Sequence, residues 1–427
     1  MAFDVSLFPF AHATHPKAEV ATQLVIAQLR SLMQQDTYAK APNLGLLYIT
    51  DHYSAQAQDI LDHLSAELPW ITDWSGTVGV GICANNVEYF DEPALSVMLC
   101  EMPFDQYQVF SGVSPLSVSM LNGFEPHCAL LHADGSTLDL SDLIQEFAQD
   151  MHSGFVFGGL SSSRAHNVQF ALSARGNLTG QSQRRGVLKG GMSGVAFSAQ
   201  VSMLTRVTQG CIPVSAEFEI TRFEQHLVLE LNGRPALEVL LEALGTSLKE
   251  GQTALSKVRQ TLVALTHAHE ERVAKTGHFQ EQVMVRHIIG LDPTRQAIAV
   301  AQALTPGIRL SFCERNPEAA KADLTRIATE VRASLEPEEI SLEMAQSLTV
   351  GDFSQPHPGR RILGAIYISC AGRGGPHFGA PSAELQVLRR SLGDVPLVGF
   401  FAGGEIAHQN LYGYTGVLTV FIDEAAT

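Results

Sequence analysis

Cys370 and Arg373 lie in the glycine-rich stretch 369–375, which directly follows an apolar run. An arginine held between glycines can bind a carboxylate through two parallel hydrogen bonds. The cysteine has two interpretations, because a thiolate is a nucleophile and a thiol packs as a small apolar side chain. No histidine or aspartate adjoins Cys370 in the sequence, and this favours the packing role.

A second candidate loop follows the apolar run 155–160. It combines glycine, three hydroxyl groups and a cation in the residues Gly159, Ser161, Ser162, Ser163 and Arg164. Backbone N–H, hydroxyl and guanidinium donors in one loop can bind an anion. The same composition is also typical of a solvated turn, so both interpretations stay open.

A third loop contains Gly404 and Glu405 at the end of the apolar run 397–402. Glu405 can accept a ligand's ammonium group or form an internal ion pair with Arg373. If the loops of Arg373 and Glu405 meet, their opposite charges suit a zwitterion such as an amino acid.

The familiar signatures of catalysis and nucleotide binding are missing from the sequence: it has no GxSxG, no HExxH and no GxxxxGK[ST]. The six cysteines are scattered without a CxxC pair, so neither a structural zinc site nor a disulfide framework is predicted. Sixteen histidines leave haem ligation open as an alternative, but no cofactor is predicted. The sequence therefore favours a binding protein over an enzyme.

Apolar runs and amphipathic stretches must position these loops. Helices are predicted at 16–35, 55–68, 138–149, 255–275, 317–335 and 382–392, and the apolar runs between them are predicted strands. We expect an α/β fold of two fused halves, with glycine-rich mixed or antiparallel sheets packed together and helices on the outside in αββα-like layers. The expected parts are an N-terminal helical leader (1–43) and two domains (44–232 and 233–427).

Charge and hydropathy narrow the class of protein further. Of the 427 residues, 44 are acidic and 28 are lysine or arginine, and a net charge of −16 argues against nucleic-acid binding. No stretch reaches the roughly 18 apolar residues of a membrane-spanning helix, so no membrane insertion is expected. The dispersed cysteines and the absence of a signal peptide predict a cytoplasmic protein.

The motifs taken in order resemble the FIST family. Residues 75–79, 155–160, 210–214 and 229–237 are similar to its N-terminal domain, and residues 369–374 and 395–406 are similar to its C-terminal domain. The resemblance implies a sensory module that binds a small ligand, with amino acids the usual suggestion, and a signalling partner such as a histidine kinase. Three alternatives remain: a haem-based nitric-oxide sensor, a thiol enzyme using Cys370, and a protein-binding scaffold.

Overall fold

The computed structural model describes residues 6–112, 124–175, 178, 186–267, 283–336 and 360–423. The helices are α1 (Ala18–Met33), α2 (Ala57–Glu67), α3 (Leu140–Gln149), α4 (Ala236–Ala243), α5 (Gln252–Gln260), α6 (Pro317–Leu335), α7 (Gly375–Phe378) and α8 (Ala383–Leu392). Short 3₁₀ turns lie at Asp51–Gln56 and Leu248–Glu250. In these described ranges, no helix combines the length and the apolar character needed to cross a membrane.

The strands of the first part of the chain are β1 (Phe10–Thr14), β2 (Leu44–Thr50), β3 (Asp73–Gly79), β4 (Gly81–Ala84), β5 (Val87–Phe90), β6 (Ala94–Cys100), β7 (Tyr107–Gly112), β8 (Cys128–Ala133), β9 (Phe155–Leu160), β10 (Gln169–Leu172), β11 (Val187–Leu188), β12 (Met192–Phe197) and β13 (Met203–Gln209). The remaining strands are β14 (Cys211–Pro213), β15 (Phe218–Glu224), β16 (Leu227–Leu231), β17 (Arg234–Pro235), β18 (Leu262–His267), β19 (Met284–Asp292), β20 (Ala297–Val300), β21 (Ile308–Arg315), β22 (Ile362–Cys370), β23 (Leu397–Ala402), β24 (Glu405–His408), β25 (Asn410–Tyr412) and β26 (Thr415–Ile422). Mixed and antiparallel sheets with fewer helices confirm the predicted α/β class.

The chain forms two compact units. Unit 1 comprises residues 1–207, 324–411 and 416–427, and unit 2 comprises residues 208–323 and 412–415. The sequence boundary expected near residue 232 lies inside unit 2, so the compact units do not coincide with the two sequence halves. In chain order most of unit 2 is an insertion into unit 1, because its main segment 208–323 runs from the end of β13 into the first turns of α6.

Unit 1 contains three six-stranded sheets that repeat one strand order. The sheets are β1-β6-β2-β3-β10-β11, β7-β12-β8-β9-β24-β25 and β13-β26-β22-β23-β4-β5. In each sheet the third and fourth strands form a parallel pair, and the segment that joins them contains a helix of ten or more residues: α2, α3 or α8, the last preceded by the short α7. This is the βαβ unit that a parallel pair requires.

The three sheets exchange hairpins in a closed cycle. The chain leaves β3 and forms β4–β5 on the third sheet, leaves β23 and forms β24–β25 on the second, and leaves β9 and forms β10–β11 on the first. We call each parallel pair, with its connecting helix and the hairpin that follows it, a repeat; each parallel pair is therefore completed by strands from another repeat. Because the exchange is circular, each sheet of unit 1 receives one hairpin from a second sheet and gives one to the third.

A glycine occupies the same position in the second strand of each parallel pair. A Cβ atom on Gly76, Gly158 or Gly399 would lie 1.7–1.9 Å from the carbonyl oxygen of the residue paired with it. Only glycine allows the two backbones to approach this closely. The close approach of paired backbones thus explains why these strands contain glycine.

Apolar helix faces cover one face of the first and of the second sheet, as the amphipathic patterns predict. Val25 of α1 and Ile60 of α2 belong to one core cluster with Leu47 of β2, and Ile144 of α3 packs with the second sheet. The opposite faces of the three sheets meet through the rings of Tyr48, His132 and Phe400, whose centroids lie 5.4–5.9 Å apart.

Unit 2 is built on an eight-stranded antiparallel sheet with α4 and α5. The helix predicted over 255–275 is present up to Gln260 as part of α5 and is wrong over Leu262–His267, which form the strand β18. The leucine spacing matches a helix, but β18 pairs with β19 and β21 on its two sides, and this tertiary pairing outweighs local periodicity. Residues 268–275 lie outside the described ranges.

Candidate functional site

The three predicted loops meet in unit 1 at the carboxyl ends of two parallel strand pairs. Cys370 at the end of β22 pairs with Ala402 at the end of β23, and the backbone N–H of Ala371 donates to the Ala402 carbonyl at 2.8 Å. The N–H of Leu160 at the end of β9 donates to the carbonyl of Gly404 at 2.8 Å. We call the residues 161–164, 370–374 and 403–405 the strand-end site. Carboxyl ends of parallel strands are the usual place for ligand binding in open α/β sheets.

The serine hydroxyls connect the loops of this site. Ser161 Oγ and Thr77 Oγ1 share a hydrogen bond of 2.7 Å, and Ser162 Oγ accepts from the N–H of Val80 at 3.0 Å and donates to the carbonyl of Phe401. Ser163 Oγ accepts from the N–H of Ala165 at 3.0 Å. The loop that the sequence offers as an anion-binding turn thus has a structural role in joining the three repeats.

Two glycines differ in their surroundings: Gly159, just before the site, lies at a close contact, and Gly403 of the site lies at the surface. Gly159 pairs with Glu405 between β9 and β24, and a Cβ on Gly159 would lie 2.8 Å from the Cβ of Ala402. Gly403 is exposed, and a Cβ there would have no neighbour closer than 3.7 Å. Gly403 is therefore the position of this site where a side chain can be added without displacing the fold.

Arg164 is exposed and holds two aspartates at the rim of the site. Its Nε and Nη2 donate to the two carboxylate oxygens of Asp51 at 2.8 and 3.0 Å, and its Nη1 donates to Asp91. Burial opposes ionisation of Asp51, but the hydrogen bonds and the charge of Arg164 hold the pKa of Asp51 below its usual value. Opposite charges thus face solvent side by side, since the Arg164 and Asp91 side chains are 55% and 76% exposed.

Arg373 is buried and pairs with Glu384 of α8. Its Nε donates to Glu384 Oε1 at 2.8 Å, and the two side chains are 1% and 0% exposed. The same carboxylate accepts from the hydroxyl of Tyr367 at 2.6 Å, and from the Ser369 hydroxyl and the Gly374 N–H. Glu405 is also fully buried. Arg373 therefore stabilises the loop that carries Cys370 rather than presenting a free guanidinium to solvent.

Glu88 completes this buried charge cluster, and the sequence reasoning missed both Glu88 and Glu384. The Glu88 carboxylate accepts from the backbone N–H groups of Gly375 and Leu385, at the starts of α7 and α8. Burial, with a further contribution from the charge of Glu384, raises the pKa of Glu88 to about 7. The sequence signal that could have identified Glu88 is its position as a lone acidic residue in the otherwise apolar segment 87–90.

Cys370 is the one partly exposed cysteine and the other five are buried; all six lie in the described ranges, and none forms a disulfide. Burial raises the pKa of the Cys128 thiol to about 12. His132 in the core has its pKa lowered by burial to about 3 and is neutral at ordinary pH. Among the described residues, no group of three or more His, Cys, Asp or Glu side chains could hold a metal ion.

Comparison with known proteins identifies two family domains. The family model described as the FIST N domain matches residues 43–234, and the one described as the FIST C domain matches residues 236–408. An uncharacterized protein of Mycobacterium tuberculosis (strain ATCC 25618 / H37Rv) is 28% identical over 420 residues, which cover 96% of this chain and 98% of the relative. An uncharacterized protein of Mycobacterium bovis is 27% identical over 423 residues, covering 96% and 97%. FIST domains are associated with the sensing of small ligands in signal transduction.

Proposed function

The chain belongs to the FIST family, and on this premise we propose that it is a cytoplasmic sensor that binds a small polar ligand at the strand-end site. One observation carries the proposal. Loops from both matched domains converge at the carboxyl ends of parallel strands, where the charged pair Arg164–Asp91 is exposed to solvent and Gly403 has open space around it.

The exposed charges favour a zwitterion, and an α-amino acid is the first ligand class to test. Arg164 can bind a carboxylate in place of Asp91, and the released Asp91 can accept the ammonium group. In this proposal the buried Arg373–Glu384 pair stabilises the loop that carries Cys370 and does not contact the ligand. We further propose that a signalling protein such as a histidine kinase reads the bound state.

The test is titration calorimetry and thermal unfolding with the twenty amino acids. A ligand at about 100 times its dissociation constant adds about 2.7 kcal/mol to the free energy of unfolding. Arg164→Gln is expected to weaken binding by at least tenfold, because it removes a charge-assisted hydrogen bond. Gly403→Leu is expected to block the site sterically while the protein stays folded.

Arg234→Gln is the matched control, since Arg234 is also exposed and also binds two carboxylates, those of Glu238 and Glu242 in unit 2. The control should bind as the unmodified protein does. If the Arg164 and Arg234 variants bind the amino acid with equal affinity, the ligand does not bind at the strand-end site. No stabilisation by any amino acid would exclude this ligand class.

A further inference from the structure

A cleft of about 550 Å³ lies at the opposite end of β22 from the strand-end site. It is lined by the last turn of α6, the start of β22 and the end of α8. The strand has nine residues from Ile362 to Cys370, so eight steps of 3.3 Å place the two sites about 26 Å apart. The cleft is therefore separate from the site of the proposed function.

The charge of this cleft is opposite to that of the chain. Its lining contains four arginines, Arg332, Arg360, Arg361 and Arg390, and one carboxylate, Glu336. The whole chain has 44 acidic residues against 28 lysines and arginines. A cationic concavity in an acidic protein concentrates anions locally, because low-dielectric walls focus its field.

These arginines are also distinguished by their lack of ion pairs. Between residues that the structure describes, none of the four forms an ion pair with a carboxylate, whereas Arg389, adjacent to Arg390, pairs with Asp394 at 3.0 Å. Arg332 makes a hydrogen bond of 3.2 Å to the carbonyl of Ser391, which ties the ends of α6 and α8 together.

The simplest explanation for arginines in this cleft is a favourable interaction with helix C-termini. It accounts for only two of the four. Arg332 and Arg390 lie in the last turns of α6 and α8, where a positive charge stabilises the helix dipole. Arg360 and Arg361 precede a strand, where no helix dipole accounts for them. Their exposed guanidinium groups line the cleft without a described carboxylate partner.

Apart from Thr37, the rest of the lining carries no polar side chain, and it includes Leu335, Ile362, Leu392 and Val395. A volume of about 550 Å³ is in the range of ligand pockets, which runs from roughly 300 to 1,000 Å³. We propose that this cleft is a second binding site, and that its ligand is a small organic anion with a phosphate or carboxylate group on an apolar body. Guanidinium groups bind the anionic group, and the apolar side chains contact the body.

The experiment titrates the full chain with phenyl phosphate, phenylacetate, inorganic phosphate and the neutral benzyl alcohol, by calorimetry at low salt. Saturable binding of phenyl phosphate or phenylacetate is expected, and the preferred one identifies the anionic group. Inorganic phosphate and benzyl alcohol should each bind at least tenfold more weakly, since each lacks one of the two features.

The double variant Arg360→Gln and Arg361→Gln is expected to weaken binding of the preferred probe at least tenfold. Arg30→Gln is the matched control, because Arg30 is an exposed arginine of unit 1 that pairs with Glu67, and it should bind unchanged. Circular dichroism checks that the double variant is folded. Absence of saturable binding to the intact chain, or equal affinity in the double variant and the control, would overturn the proposal.

Discussion

Replacing Glu384 with glutamine tests whether the buried charge cluster holds the Cys370 loop. The substitution keeps the size of the side chain but removes the negative charge opposite Arg373, which is 1% exposed in its side chain. The new amide also places a donor where Tyr367, Ser369 and Gly374 all donate. Arg373 is left as a buried cation without its carboxylate.

The magnitude follows from the burial of both partners. Breaking a buried ion pair by removing one partner costs about 3–5 kcal/mol, because the remaining charge is desolvated without compensation. An exposed pair contributes about 0.2–1 kcal/mol, since water screens it. We therefore expect Glu384→Gln to lower the free energy of unfolding by about 4 kcal/mol, and Glu238→Gln, which breaks an exposed pair with Arg234, by less than about 1 kcal/mol.

Urea unfolding followed by tryptophan fluorescence measures this difference. The chain has two tryptophans, Trp70 and Trp74, and both lie in unit 1 together with the cluster. Trp74 is fully buried on β3, so its emission reports the unfolding of this unit. A loss below about 1 kcal/mol for Glu384→Gln, with an unchanged denaturant slope, would refute the reasoning that Arg373 depends on this carboxylate.

Other predictions concern single positions of unit 1. Gly399→Ala should prevent stable folding, because its Cβ would lie 1.7 Å from the carbonyl oxygen of Tyr367; the yield of folded protein checks this. Because burial raises the Glu88 pKa from 4.5 to about 7, the folded state binds its proton more tightly. Stability should therefore fall as pH rises from about 5 to 7, and this decrease should be smaller in Glu88→Gln. The His132 pKa is lowered to about 3, so its imidazole should remain neutral at pH 5 in nitrogen NMR spectra. Iodoacetamide should label the native protein first at Cys370, as mass spectrometry of the peptides can show; equal labelling of all six cysteines would contradict the described burial.

Much of the local structure was predictable from the sequence. The apolar runs that became β2, β9, β22 and β23 are strands, and the amphipathic stretches around α1, α3, α6 and α8 are helices. These patterns are local, because a segment that buries one face carries a periodic apolar signal whatever its partner is. The run over 262–267 shows the limit, since a short apolar segment fits either a helix or a buried strand.

Composition also identified the candidate loops, but it did not show which groups their charged side chains contact. Sequence alone offered Arg373 as a ligand contact, whereas its side chain is buried against Glu384, eleven positions away along the chain. Glu88 reaches the same cluster from another repeat, at a sequence separation of 287 from Gly375. A pairing over such a distance leaves no spacing pattern in a single sequence.

The sequence by itself determined the α/β class, most helices and strands, and the glycine- and serine-rich loops at the strand ends. Only the tertiary structure decided that three sheets share one strand order, that their hairpins are exchanged in a cycle, and that four arginines from three segments line one cleft. The physical reason is that backbone hydrogen bonds between strands are nearly independent of side-chain identity. The sequence therefore specifies which segments are strands far more clearly than which strands pair.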